Sequence, residues 1–177
     1  MDDIYLQINT SCNRLVDLLE EGVDINVEDT TGLTVLRGLI MNNDLPQIHK
    51  YILCELMLKF GADPNTKKGL SPLMTAVIMG DMKIVELLVN HGADVNYEIG
   101  IAGSPLFVMN KDTALSLAIN ANIGDNEEIA MYLINSRKIK QHLLFRSCMK
   151  NTKYLRYILD KKMFDLNSIK EFHPKIE

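Results

Sequence analysis

A chain of 177 residues with 47% hydrophobic and 24% charged residues can bury a core of its own without help from metals or disulfides. Three cysteines, Cys12, Cys54 and Cys148, are odd in number and far apart; this argues against a disulfide framework or a zinc cluster and suits a reducing cytosol. The net charge of −4 divides into eight basic and nineteen acidic residues over 1–136, a balance of −11, and nine basic residues with one acid over 137–162, a balance of +8.

In chain order, the first helix-period apolar run is Leu15-Val16-Leu18-Leu19, followed by Gly22-Val23-Asp24-Ile25-Asn26. Thr34-Val35-Leu36 opens a second element, with Thr34 placed as a helix N-cap. The run Ile52-Leu53-Leu56-Met57-Leu58 then leads to Gly61-Ala62-Asp63-Pro64-Asn65. Ser71-Pro72-Leu73 begins the next helix: Ser71 suits an N-cap, and Pro72 sits where a missing N–H costs nothing. Ile84-Val85-Leu87-Leu88-Val89 precedes Gly92-Ala93-Asp94-Val95-Asn96, and Thr113-Ala114-Leu115 opens another helix. Gly61 and Gly92 each follow an apolar run, where a left-handed residue ends a helix. From Lys138 to Asp160, Asn151-Thr152 divides two helical pieces carrying Leu143, Leu144, Cys148, Leu155, Ile158 and Leu159. No stretch reaches the roughly 20 apolar residues of a membrane helix. The acidic start Met1-Asp2-Asp3 lacks a signal-peptide core, so a cytoplasmic location is expected.

Short amphipathic helix pairs cannot bury both faces alone, but stacked pairs share a continuous core. The segment Gly69-Leu70-Ser71-Pro72-Leu73-Met74-Thr75-Ala76, then Gly80-Asp81, Ile84-Val85-Glu86-Leu87-Leu88 and Gly92 to Asn96, resembles the ankyrin repeat. The resemblance implies an all-α solenoid of about four to five helix-turn-helix units with degenerate terminal caps. One domain is expected over 1–167, in repeats of approximately 1–28, 29–65, 66–96, 97–136 and 137–167, with a frayed tail at 168–177. The family's motif histidine is replaced by Arg37, Met74 and Ser116. Asp44 to Gly61 spans 17 residues where Asp81 to Gly92 spans 11, so an insert at 45–50 lengthens the second helix of that repeat or the approach to it.

No phosphate loop, dinucleotide fingerprint or nucleophile elbow occurs, and His49, His91, His142 and His173 sit apart without metal-ligand spacing. No catalysis, cofactor or metal is expected. His91 reads as a helix C-terminal residue and Cys54 as a buried packing residue.

The resemblance implies protein binding on a concave face. Its variable positions map here to Thr30, Thr31, Leu33, Met41 and Asn42, then Lys67, Lys68, Leu70, Ile78 and Met79, then Asp112 and Asn120. Leu33, Met41, Leu70, Ile78 and Met79 form an apolar set, and methionine adapts well at interfaces. The long finger 97–111 is a second candidate, through Ile99, Ile101, Leu106, Phe107 and Met109; it either folds over the concave face or is ordered by a partner. The basic C-terminal helices raise nucleic acid or another acidic surface as a rival partner class. An acidic body, and no aromatic platform within the basic run, favour a solvated cap face instead. A monomer that binds and inhibits or sequesters a protein is therefore expected. By resemblance, it is similar to ankyrin proteins of large DNA viruses that bind host signalling components, acting in the host cytoplasm. It is also similar to small bacterial ankyrin proteins that neutralise toxins or accompany secreted effectors.

Overall fold

A computed structural model of the chain describes residues 13–30, 32–65, 68–99, 111–120 and 126–164. Apart from one antiparallel bridge between Glu28 and Thr34, the regular structure of these residues is helical. The chain forms two compact units, residues 1–94 and 95–177. The first contains α1 (residues 13–20), α2 (Val35–Met41), α3 (Gln47–Lys59), α4 (Pro72–Ile78) and α5 (Met82–Asn90). The second contains α6 (Ala114–Ile119), α7 (Glu127–Asn135), α8 (Gln141–Cys148) and α9 (Thr152–Asp160). The parts of the expected first repeat before residue 13, and the tail 168–177, lie outside the described residues.

The starts of these helices follow from side-chain capping. Thr34 accepts a hydrogen bond from the Arg37 N–H at 3.2 Å, and Ser71 from the Met74 N–H at 3.1 Å, with Pro72 directly after it. Asp81 accepts from the Ile84 N–H, and Thr113 and Ser116 form a reciprocal capping box. Asn151 caps α9 through the Lys153 N–H. The ends of α1, α3 and α5 share one geometry. Gly22, Gly61 and Gly92 have φ of +82°, +90° and +89°, and the next N–H turns back to the helix, as from Ala93 to the Leu88 carbonyl at 2.9 Å. In the second unit the left-handed residues after α7 and α9 are Arg137 (φ +54°) and Lys162 (φ +51°). An L-residue with a Cβ occupies that region at a cost of about 1–2 kcal/mol.

In the first unit α2 packs against α3 and α4, and α5 against α3 and α4. Residues Pro72 to Val77 of α4 are all buried, and α5 buries Ile84, Val85, Leu87, Leu88 and Val89. In the second, α6 packs against α7 and α8, and α8 against α9. The insert at 45–50 lengthens a helix: α3 has 13 residues where α5 has 9. Its first turn carries Lys50, buried, whose Nζ donates to the Ile40 carbonyl at the end of α2 at 3.2 Å. That ammonium satisfies a helix C-terminus that no glycine closes.

Asparagines tie successive turns together. Asn26 Nδ2 donates to the Gly61 carbonyl at 3.0 Å, and its Oδ1 accepts from the Asp63 N–H at 2.7 Å. Asn65 repeats this with the Gly92 carbonyl and the Asp94 N–H, at 3.4 and 2.8 Å. In the second unit Asn96 engages the Lys138 carbonyl and the Lys140 N–H, at 3.0 and 2.7 Å.

Cys54 and Cys148 are fully buried free thiols. Burial pushes each from its ordinary value of 9.0 up to about 12; at Cys54 the Asp81 carboxylate adds to the rise and Lys50 opposes it. Above pH 9 the unfolded thiols ionise while the folded ones keep their protons. The folded state then binds more protons than the unfolded state, so stability falls as pH rises from about 9 toward about 12. Urea unfolding across that range should show a slope that is flatter in the double variant Cys54→Ala/Cys148→Ala, although its cavities lower stability at every pH. An equal slope in the two proteins would show that the thiols do not contribute.

Candidate protein-binding surface

Within residues 1–94, the approach to α2 (29–33) and the approach to α4 (68–70) are equivalent fingers. Arg37 holds them together: its Nη1 donates to the carbonyls of Gly32 and Leu70, both at 3.1 Å. The motif position of a histidine is thus filled by a longer donor that spans both fingers. Gly32 permits the close approach. Its φ is +77°, and a Cβ there would lie 3.0 Å from the Lys68 Cβ and 3.1 Å from the Lys68 carbonyl oxygen. Met74, the second histidine replacement, is fully buried in the core, and Ser116, the third, completes the α6 capping box.

With the fingers adjacent and α2 packed on α4, equivalent positions become neighbours. Leu33 corresponds to Leu70, Met41 to Ile78, and Asn42 to Met79. Met41 is 49% exposed, while Leu33, Leu70, Ile78 and Met79 are half-buried. Thr30 and Lys68 are exposed at the fingers. Asn42 is half-buried as the C-cap of α2, and its Oδ1 accepts the Asp44 N–H at 2.8 Å. Thr31 and Lys67 lie outside the described residues. The unit therefore gathers a strip of partly exposed apolar side chains flanked by polar finger residues.

The residues expected from the long finger fall differently. Ile99 is 1% exposed, and its backbone pairs with the far side of the loop: its N–H donates to the Asp112 carbonyl, and its carbonyl accepts from the Lys111 N–H, both at 3.0 Å. At 1% exposure its side chain is buried and offers little surface for docking. Ile101, Leu106, Phe107 and Met109 lie outside the described residues. Asp112 is half-buried and accepts from Ser116 Oγ at 2.8 Å, and Asn120 is the half-buried C-cap of α6.

Concave features also lie outside the residues singled out from the sequence. An apolar groove of about 450 Å³ lies among α1, α2 and α3, walled by Leu15, Leu18, Val35, Leu39, Leu53 and Met57. Val35, 54% exposed, stands where the family motif has proline, the one local signal of that groove. A second cavity of about 260 Å³ in the other unit is lined in part by Arg137, Lys161 and Lys162. Among the described residues no cluster of three or more His, Cys, Asp or Glu side chains could hold a metal ion. No described helix is long and apolar enough to cross a membrane. His91 caps α5, with Nδ1 2.9 Å from the Leu87 carbonyl, and His49 is buried among packing residues of α3.

These repeated caps, left-handed turns and asparagine ties agree with comparison to known proteins. The family description "Ankyrin repeats (3 copies)" matches residues 6–99. An ankyrin repeat protein of fowlpox virus (strain NVSL) is 32% identical over 109 residues, covering 61% of this chain and 18% of that protein. The chain thus spans less than a fifth of that relative's length. Matched over more than half its residues, and built of stacked helix pairs with the turns that the motif requires, the chain belongs to the ankyrin repeat family.

Proposed function

We propose that this protein binds a partner protein through the finger and helix-end strip of residues 1–94, and that occupation of the partner inhibits or sequesters it. Ankyrin repeats are generally protein–protein interaction modules and are typically non-catalytic. The observation that supports this site is the alignment of Leu33, Met41, Leu70, Ile78 and Met79 along adjacent fingers and helices, partly exposed although the helices around them are filled. A preformed apolar strip binds without a large ordering cost, and adaptable methionines with a polar rim suit an interface centre. Of the settings that family resemblance raises, the likeness to a fowlpox virus protein supports a viral modulator of host proteins over a toxin-neutralising role.

The test is affinity capture from the native source with the wild type, Met41→Asp and Leu70→Asp, followed by titration of the captured partner. Each substitution should weaken binding by about tenfold or more, since it places a charge at a desolvated centre. Met41→Asp should leave Tm within about 2 °C of the wild type, because its side chain is half exposed. Unchanged affinity in both variants would remove the strip as the site.

A further inference from the structure

We propose that the second unit carries a separate binding site, independent of the strip in residues 1–94, for an acidic peptide segment bearing an apolar side chain. The cavity of about 260 Å³ there has a floor of Ile134, Leu144 and Met163 and a rim of Arg137, Lys161 and Lys162. All three cations are exposed, and none forms an ion pair among the described residues. Two other cations of this unit are engaged: Arg146 pairs with Glu98 at 2.7 Å, and Lys153 pairs with Glu127. Asp160, also exposed, is the one acid between residues 137 and 162. Three positive charges around an aliphatic floor fit a carboxylate-rich segment that inserts one aliphatic side chain.

The backbone supports the same assignment. At the turn after its second helix each repeat of the first unit has glycine with positive φ: Gly22, Gly61 and Gly92. At the two corresponding turns of the second unit stand Arg137 and Lys162, also left-handed, and both line this one cavity. Strained non-glycine backbone concentrates where a side chain has a task, and here the two departures from glycine converge on one place. The lining favours peptide over nucleic acid, because it contains no aromatic ring on which a base could stack. The neighbouring rings of Phe145 and Phe164 stack on each other, with centroids 4.8 Å apart.

The test uses fluorescence anisotropy on the full chain at low salt. The probes are a labelled acidic hexapeptide with one central leucine, the same peptide with glycine at that place, and a labelled single-stranded oligonucleotide. The leucine peptide should bind about tenfold more tightly than the glycine peptide, from burial of one aliphatic side chain, and should be released by salt. The double variant Arg137→Gly/Lys162→Gly should lose tenfold or more of that affinity while its Tm rises by about 2–4 °C per substitution, as left-handed strain is relieved. A gain in Tm with undiminished peptide binding would show that the two residues are only degenerate turn positions, and would overturn the proposal. Equal binding of the two peptides, or tighter binding of the oligonucleotide, would overturn it as well.

Discussion

Leu88→Ala is expected to remove about 2–5 kcal/mol of folding stability, a large share of the ~5–15 kcal/mol that holds a typical domain. Leu88 is 0% exposed on α5, a helix that packs against both α3 and α4. Truncation forfeits the transfer free energy of the removed methyl groups and leaves a void that close-packed neighbours fill only in part. The corresponding fall in Tm is about 4–20 °C for a chain of this size. Glu86→Ala, on the exposed side of the same helix, should change stability by no more than about 0.5 kcal/mol. Urea unfolding followed by helical circular dichroism measures both. A loss below about 1 kcal/mol for Leu88→Ala would mean that α5 is not held in a filled interior.

The contrast between these two positions was legible from apolar spacing alone, because helix burial follows a 3.6-residue period. Caps and closing turns were equally legible where they use the usual residues: Ser71 with Pro72 at the start of α4, Gly92 at the end of α5. The signal failed where the chemistry was replaced. Arg137 and Lys162 adopt the backbone of a closing glycine, but a basic residue carries no local mark of a left-handed turn, so the basic segment read as a charged cap, with nucleic acid or another acidic surface as the rival partner class. Ile99 read as part of a finger that either folds over the concave face or is ordered by a partner; its burial and its backbone pairing with residues 111 and 112 across the loop are long-range features that no local period reports. Arg37 was visible as a departure from the motif; its bridge to Leu70, 33 positions away, was not. Short-range rules thus recovered most of the helices and the ends that glycine closes, whereas the candidate site rests on contacts between fingers.

Asn96 shows how such long-range contacts can carry stability without large burial. Its amide donates to the Lys138 carbonyl and accepts from the Lys140 N–H, 42 and 44 positions along the chain. Lys140 is the N-cap of α8 and has no side-chain capping bond of its own, so Asn96 anchors the turn that starts that helix. It also closes the long excursion between residues 97 and 137, and closing a loop costs chain entropy that specific contacts must offset. Asn96→Ala deletes both hydrogen bonds and should cost about 1–3 kcal/mol. Asn96→Asp keeps the acceptor for the Lys140 N–H but replaces the donor with a carboxylate facing the Lys138 carbonyl, so it should not restore full stability. The local readout is amide hydrogen exchange: Lys140 should lose protection in Asn96→Ala, while the Leu117 amide, bonded to the Thr113 carbonyl within α6, should lose less. The Arg146–Glu98 pair remains in this variant, so the second unit should loosen at the turn before it unfolds. If Lys140 stays protected and urea unfolding is unchanged, the asparagine tie is incidental, and stability of the turn must come from the packing of α6 on α8.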